Sequence, residues 1–126
     1  MASTPAYAST IRNSSVAIST ANTARDGSGA LGTVFTAGAN GSRVDEVRIV
    51  AQGTTTAGMV RLFIHNGTTA YLIQEQTIAA VTPSGTVKAE AYTLTFSNLL
   101  LPNGYSLRAA THNAETFTVT GAGGDF

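Results

Sequence analysis

From residue 31 to its end, the chain is a series of short runs of β-forming residues separated by turns. The runs lie near residues 31–37, 43–52, 58–66, 69–78, 86–97, 104–112 and 115–121. Asn-Gly pairs at 66–67 and 103–104 tolerate the positive φ of tight hairpins, and Pro102 marks a break that a central strand would not accommodate. This spacing predicts a β-sandwich or barrel.

Apolar and polar residues alternate within these runs, which assigns one face of each strand to a core. In the run near 58–66 the pattern leaves Arg61, Phe63 and His65 on the polar side. One-sided patterning in so many strands indicates two sheets packed face to face. The inward sets are Val47, Ile49 and Ala51; Val60, Leu62 and Ile64; Tyr92, Leu94 and Phe96; Tyr105, Leu107 and Ala109; and Phe117 and Val119.

Residues 1–30 are rich in Ser, Thr, Ala and Asn and carry few large apolar side chains. Because such a segment cannot bury much surface by itself, we expect an extended arm that includes a first edge strand from about 14 to 20. The predicted organisation is an N-terminal arm with a first edge strand over 1–30 and a β-sandwich domain over 31–126. The fold class is all-β, an antiparallel jelly-roll-like β-sandwich of about eight strands with an extended N-terminal arm.

Charge and cysteine usage exclude several kinds of function. Seven basic and seven acidic residues cancel, and charged residues make up 11% of the chain, so we expect no nucleic-acid partner. No cysteine is present to form disulfides or thiolate metal sites. No apolar run approaches the roughly 20 residues of a membrane helix, and the first residues lack the pattern of a signal peptide. We therefore expect no membrane partner and synthesis in the cytoplasm.

The candidate metal ligands are two histidines and three carboxylates, namely His65, His112, Glu75, Glu115 and Asp125. Their spacing matches no metal motif, and both histidines fall at predicted strand ends, where exposed polar residues are ordinary. No Gly-x-Ser-x-Gly elbow occurs for a serine nucleophile. The sequence therefore predicts a protein that is not an enzyme and that has no metal and no cofactor.

A carboxylate pair and a glycine run resemble functional motifs, but each has a simpler structural interpretation. Asp45 and Glu46 are adjacent, and neighbours on a strand point to opposite faces, so the pair cannot flank one glycosidic bond. The run Gly-Ala-Gly-Gly at 121–124 does not lead into a helix, as a phosphate-binding loop would. We expect a flexible or tightly packed end that lets Phe126 fold back against the domain.

Carbohydrate binding is the alternative that the sequence leaves open. Jelly rolls often bind sugars, and exposed Tyr71, Tyr92 or Tyr105 could stack on a sugar ring. The chain has no tryptophan and no acidic calcium cluster to support this hypothesis.

Three segments carry a family resemblance: ANTARDGSG at 21–29, a stretch over 43–67 that ends in VRLFIHNG, and LPNGYSLRAATHNAETF at 101–117. Together they resemble small virion structural proteins of tailed bacteriophages, in particular jelly-roll cement or decoration proteins of the head. The resemblance implies a non-enzymatic protein that stabilises the head by bridging capsid subunits. A tail or neck β-sandwich module with carbohydrate or receptor binding is the alternative within the same class.

This resemblance implies partners and a location. The expected partners are the major capsid protein and further copies of the chain, as a dimer or trimer, on the outer surface of the head. The arm could gain structure by β-addition or groove docking on a neighbour. The residues predicted to make such interactions are Tyr7, Ile11, Arg12, Val16, Ile18, Arg25 and Phe63.

Overall fold

The computed structural model describes residues 9–126, and all of its regular structure is β. No helix occurs in this range. The strands are β1 (Thr10–Ile18), β2 (Gly32–Thr36), β3 (Ser42–Ala51), β4 (Gly58–His65), β5 (Ala70–Ile78), β6 (Ala91–Leu101), β7 (Ser106–Thr111) and β8 (Phe117–Asp125).

The eight strands form two antiparallel sheets of four, ordered β1-β8-β3-β6 and β2-β7-β4-β5. The first strand pairs with the eighth, the second with the seventh, the third with the sixth and the fourth with the fifth. This is the pairing of a jelly roll, in which one long hairpin folds over into two facing sheets. The prediction of an antiparallel jelly-roll-like β-sandwich is confirmed.

The main apolar core lies between the two sheets. Val47 and Ile49 of one sheet, and Val60, Leu62 and Leu107 of the other, are fully buried there. Because alternate residues of a strand face the same side, the predicted inward sets do enter this core. Their half-buried members pack against its margin: Ile64, Tyr92, Leu94, Phe96 and Tyr105.

The loop over residues 19–31 covers part of the outer side of the β2-β7-β4-β5 sheet. The backbone N–H of Asn22 donates to the carbonyl of Thr111 at 2.8 Å, and Leu31 packs against a second apolar cluster formed by Phe63, Ala70 and Ala110. Phe63 faces away from the main core, as its position in the alternation predicts, but it is 0% exposed. The expectation that Phe63 lies at the surface is therefore wrong, because this loop shields it.

Three strands differ from their predicted limits by more than two residues at one end or both. β1 begins at Thr10 and ends at Ile18, instead of running from about 14 to 20. β6 continues to Leu101, directly before Pro102, which has no backbone N–H to extend the pairing. β8 includes the glycine run, because β1 and β3 pair with it on both sides as far as Asp125.

The N-terminal segment is partly integrated into the sandwich. β1 is an edge strand of the β1-β8-β3-β6 sheet, and residues 19–31 form the covering loop. Residues 1–8, the remainder of the predicted arm, lie outside the described residues.

Candidate interaction surface

The outer side of the β1-β8-β3-β6 sheet presents four rows of side chains that the strand register defines. Each row takes one residue from β1, β8, β3 and β6 in turn. The rows are Ala17, Thr118, Val50 and Ala91; Ser15, Thr120, Arg48 and Thr93; Asn13, Ala122, Glu46 and Thr95; and Ile11, Gly124, Arg43 and Leu100. These sixteen residues are called the outer sheet face.

Short side chains keep most of the outer sheet face flat. The hydroxyl groups of Ser15 and Thr120 lie 2.7 Å apart and hydrogen-bond across the β1–β8 pair. Next to this face, the Gln52 amide donates to the hydroxyl of Thr118 at 2.9 Å. Hydrogen bonds between neighbouring strands hold these side chains against the sheet, so a partner surface can approach the backbone closely.

The charged side chains on and beside this face are paired within β3. Arg43 donates to Asp45 at 2.6 Å, and Arg48 donates to Glu46. Each pair has one charge of each sign, so the face together with Asp45 beside it presents no net charge. Contacts made here should therefore depend little on salt concentration, since no excess charge steers the partner.

A depression of about 440 Å³ lies toward the end of this face that includes Ile11. Gly123 and Ala122 line it together with Ile11, which is 90% exposed. A Cβ at Gly123 would lie 1.8 Å from the carbonyl oxygen of Arg43, so this position has no room for a side chain. Beside the depression, β3 shifts register between Val44 and Glu46.

The dimensions of the face limit how tightly it can bind. The face is four strands wide, at about 4.8 Å for each strand, and four two-residue repeats long, at about 6.8 Å for each repeat. Its area is therefore about 500 Å². A stable interface buries about 800 Å² on each partner. Alone, the outer sheet face is sufficient for a weak contact, which many copies on an ordered surface would reinforce.

The predicted interaction residues of β1 divide between its two sides. Ile11 points outward from the sheet and is highly exposed. Arg12 points inward at the end of the sandwich, Val16 is half-buried against the core, and Ile18 is 6% exposed. Of these four side chains, Ile11 is the one that is exposed at the surface and accessible to a partner. Tyr7 lies outside the described residues.

Arg12 takes part in a polar network that joins both termini of the described chain to the sandwich. It donates to Asp125 at 2.9 Å and to the carbonyl of Thr36 at 2.6 Å, and its guanidinium lies over the ring of Phe35. Asp125 also accepts from the Ser42 hydroxyl at 2.5 Å. The hydroxyl of Ser42, and next the guanidinium of Arg12, lower the pKa of Asp125 from its usual value.

Arg25 belongs to a second polar cluster, on the other sheet. Its Nε donates to Oε2 of Glu75 at 2.7 Å, and Nε of Arg61 donates to the same oxygen at 2.7 Å. Arg61 is 2% exposed and also donates to Nδ1 of His112 at 3.2 Å. The hydrogen bonds from Arg25 and Arg61 lower the pKa of Glu75. Arg25 therefore ties the loop over residues 19–31 to the β2-β7-β4-β5 sheet.

Sequence reasoning missed the burial of Arg61. The alternation placed it correctly on the outer side, but it gave no signal that the loop over residues 19–31 would fold over that side. The available signal was the pair of charges opposite each other in the β4–β5 hairpin, since Arg61 is the register partner of Glu75. An arginine next to a carboxylate can be buried, because the ion pair compensates part of the desolvation of its charge.

The candidate metal ligands are not assembled. His112 and Glu75 meet through Arg61, whereas Glu115 accepts hydrogen bonds from the backbone and hydroxyl of Thr56. Asp125 belongs to the network of Arg12 described above. Within residues 9–126, no three His, Asp or Glu side chains are grouped as metal ligands.

Of the three tyrosines considered for sugar stacking, Tyr71 is 58% exposed. Tyr92 and Tyr105 are half-buried against the main core. Tyr92 donates to the carboxylate of Glu90, and this hydrogen bond raises the pKa of the tyrosine. A stacking platform of several rings is therefore not formed by these three residues.

Comparison of the chain with protein-family models, curated proteins and solved structures gave no match. The resemblance of the sequence to virion proteins of tailed phages stays a prediction. Between residues 9 and 126 there is no helix that could span a membrane.

Proposed function

We propose that this chain is a non-enzymatic structural protein of a tailed-phage virion, and that it binds the outside of the head as a cement or decoration protein. The observation that carries this proposal is the outer sheet face, a flat and neutral surface of small side chains on a jelly-roll domain. Such a surface suits close contact with another protein. The sequence resemblance supplies the identity of that protein, the major capsid protein.

The position of the exposed apolar side chains supports the same use of this face. Ile11 is 90% exposed and Leu100 is 52% exposed, and the register places them in the same row of the outer sheet face. Val50, 43% exposed, lies in the row at the opposite end. Burying these side chains against a partner would contribute about 25 cal/mol for each Å² of apolar surface removed from water.

Bridging of capsid subunits follows from the number of copies and not from the strength of each contact. The area of the face is below that of a stable interface, so an isolated copy would bind weakly. Self-association of the chain as a dimer or trimer would present several outer sheet faces to a repeating shell. Attachment of one face then raises the effective concentration of the next.

A binding assay with variants of the outer sheet face tests the proposal. The probe is a preparation of phage heads made without this chain, mixed with the purified protein and sedimented. Thr120→Arg introduces a long charged side chain at the middle of the face, and we expect it to reduce co-sedimentation at least about tenfold, the effect of roughly 1.4 kcal/mol. Thr82→Arg, in the exposed loop before β6, makes the same chemical change away from the face and should bind like the unchanged protein.

Two results would count against this function. Co-sedimentation that Thr120→Arg leaves unchanged would exclude the outer sheet face as the binding surface. Failure of the unchanged protein to bind heads, together with micromolar binding on a glycan array, would favour a tail or neck module that recognises carbohydrate.

A further inference from the structure

Arg108 differs from every other arginine of the chain. The other five, Arg12, Arg25, Arg43, Arg48 and Arg61, each form an ion pair with a carboxylate. Among residues 9–126, no carboxylate pairs with Arg108. Its Nε donates to the hydroxyl of Ser106 at 3.1 Å, and within the described chain its two terminal nitrogens have no hydrogen-bond partner. The guanidinium of Arg108, a half-buried residue, is therefore able to take an external acceptor.

The Arg108 side chain lines a cavity of about 430 Å³ on the outer side of the β2-β7-β4-β5 sheet. One wall is the turn over residues 26–29, and the other is the end of the β4–β5 hairpin with Thr68 and Thr69. The lining also includes Asp26 and His65. This cavity is on the opposite side of the sandwich from the outer sheet face.

Both walls of the cavity are held in place by internal contacts. Gly27 has a φ of 88°, and a Cβ at this position would lie 2.3 Å from the carbonyl oxygen of Ala70, so the turn rests directly on β5. On the hairpin side, the Asn66 side chain accepts from the N–H groups of Thr68 and Thr69 at 2.9 and 2.8 Å. A pocket with fixed walls loses less entropy when it binds a ligand.

The charges of the cavity indicate what it can accept. Arg108 contributes one positive charge, while Asp26 contributes a negative charge whose Oδ1 already accepts from the N–H and hydroxyl of Ser28. A carboxylate carries a single charge and can accept two parallel hydrogen bonds from a guanidinium. A phosphate dianion would meet stronger repulsion from Asp26, which disfavours it at this site.

The other residues that line the cavity favour a carboxylate of a protein over a sugar acid as its ligand. His65 accepts the N–H of Gly67 at Nδ1 at 3.1 Å, so its neutral imidazole carries the proton on Nε2 and can donate a second hydrogen bond. The lining holds hydroxyl groups and backbone, but none of the phenylalanine or tyrosine rings on which a sugar could stack. These features fit an acidic side chain of another protein.

We propose that the cavity around Arg108 is a binding pocket for a carboxylate side chain of a partner protein. The Arg108 guanidinium pairs with the carboxylate, and the walls at residues 26–29 and 68–69 surround it. This proposal does not depend on where in a virion the chain resides. It gives the domain a second contact site, opposite to the outer sheet face.

The test is an amide NMR titration of the full chain with three probes. They are the capped tripeptide acetyl-Gly-Glu-Gly-amide, its Gln counterpart, and glucuronate, each up to about 10 mM, the range in which a contact of a few kcal/mol is measurable. We expect the Glu peptide to shift the amides of residues 26–29 and 67–69, and the Gln peptide to leave them unchanged. Arg108→Gln should weaken binding at least about tenfold, through loss of a charge-assisted hydrogen bond.

Two further variants keep the result interpretable. Lys88→Gln removes one positive charge from the exposed loop before β6 and should bind like the unchanged protein. Asp26→Asn keeps an acceptor for Ser28 but removes the opposing charge, so it should tighten binding of the Glu peptide even if Arg108→Gln fails to fold. The proposal is overturned if the Glu peptide causes no shifts at these amides, if the Gln peptide binds equally well, or if glucuronate alone binds.

Discussion

Replacement of Gly123 by alanine tests how closely β3 and β8 approach beneath the outer sheet face. The new Cβ would lie 1.8 Å from the carbonyl oxygen of Arg43 and 2.9 Å from Cα of Val44. Contacts below about 3 Å are not tolerated, so the two strands would have to separate by more than 1 Å, which would stretch the adjacent ladder hydrogen bonds. Overpacking costs about 1–3 kcal/mol and each weakened hydrogen bond about 1 kcal/mol, so we expect a loss of about 3 kcal/mol.

The assay is urea or thermal unfolding, with Gly53→Ala as the matched control. A Cβ at Gly53 would have no heavy atom within 4 Å, and the φ of Gly53 is not positive. Gly53→Ala should therefore change the free energy of unfolding of the domain little. For a chain of this size, a loss of 3 kcal/mol corresponds to a fall in melting temperature of about 10 °C. Equal melting temperatures for the two variants would refute the close approach of β3 and β8 at Gly123.

Three other predictions concern the core, the covering loop and acid stability. Leu107→Asp should destabilise the domain by more than about 4 kcal/mol, because it buries an unpaired charge at a position that is 0% exposed, and an unchanged melting temperature would contradict its inward placement. Asn22→Ala should cost about 2 kcal/mol in urea unfolding, because the Asn22 side chain donates to two loop carbonyls and accepts from one N–H, and a neutral effect would show that the loop is not anchored there. Asp125 has a lowered pKa in the folded state, so its stabilising contribution is present above the unfolded-state value of 3.8 and is lost as pH falls through the folded-state value. Asp125→Asn should therefore lose less stability than the unchanged protein when unfolding is measured between pH 5 and about pH 2, and parallel pH profiles would contradict this.

Much of the fold was accessible from the sequence because alternation and turn residues are local signals. The Asn-Gly pairs at 66–67 and 103–104 marked turns, and Gly67 and Gly104 both adopt positive φ in the structure. The positions of the strand runs followed from the same pattern, and eight strands in one sandwich left few topologies to consider.

Long-range contacts were not accessible in the same way. Nothing local in residues 19–31 indicates that they cover Phe63 and Arg61, which lie at least 30 positions later in the sequence. The glycine run at 121–124 also reads locally as a flexible or tightly packed end, and nothing local shows that strands pair with it on both sides in the middle of a sheet. The same limit applies to Arg108, whose lack of a carboxylate partner becomes visible once every other arginine has been placed.

We propose above that the outer sheet face attaches this domain to a phage head. An image reconstruction of the particle that contains the chain is the decisive experiment, because it gives both the location and the orientation of the domain. We predict jelly-roll density on the outside of the head, with the β1-β8-β3-β6 sheet against the shell and Thr120 at the contact. Density at the tail or neck would exclude a head decoration protein, and a domain on the head with this sheet turned toward solvent would exclude the outer sheet face as the attachment surface.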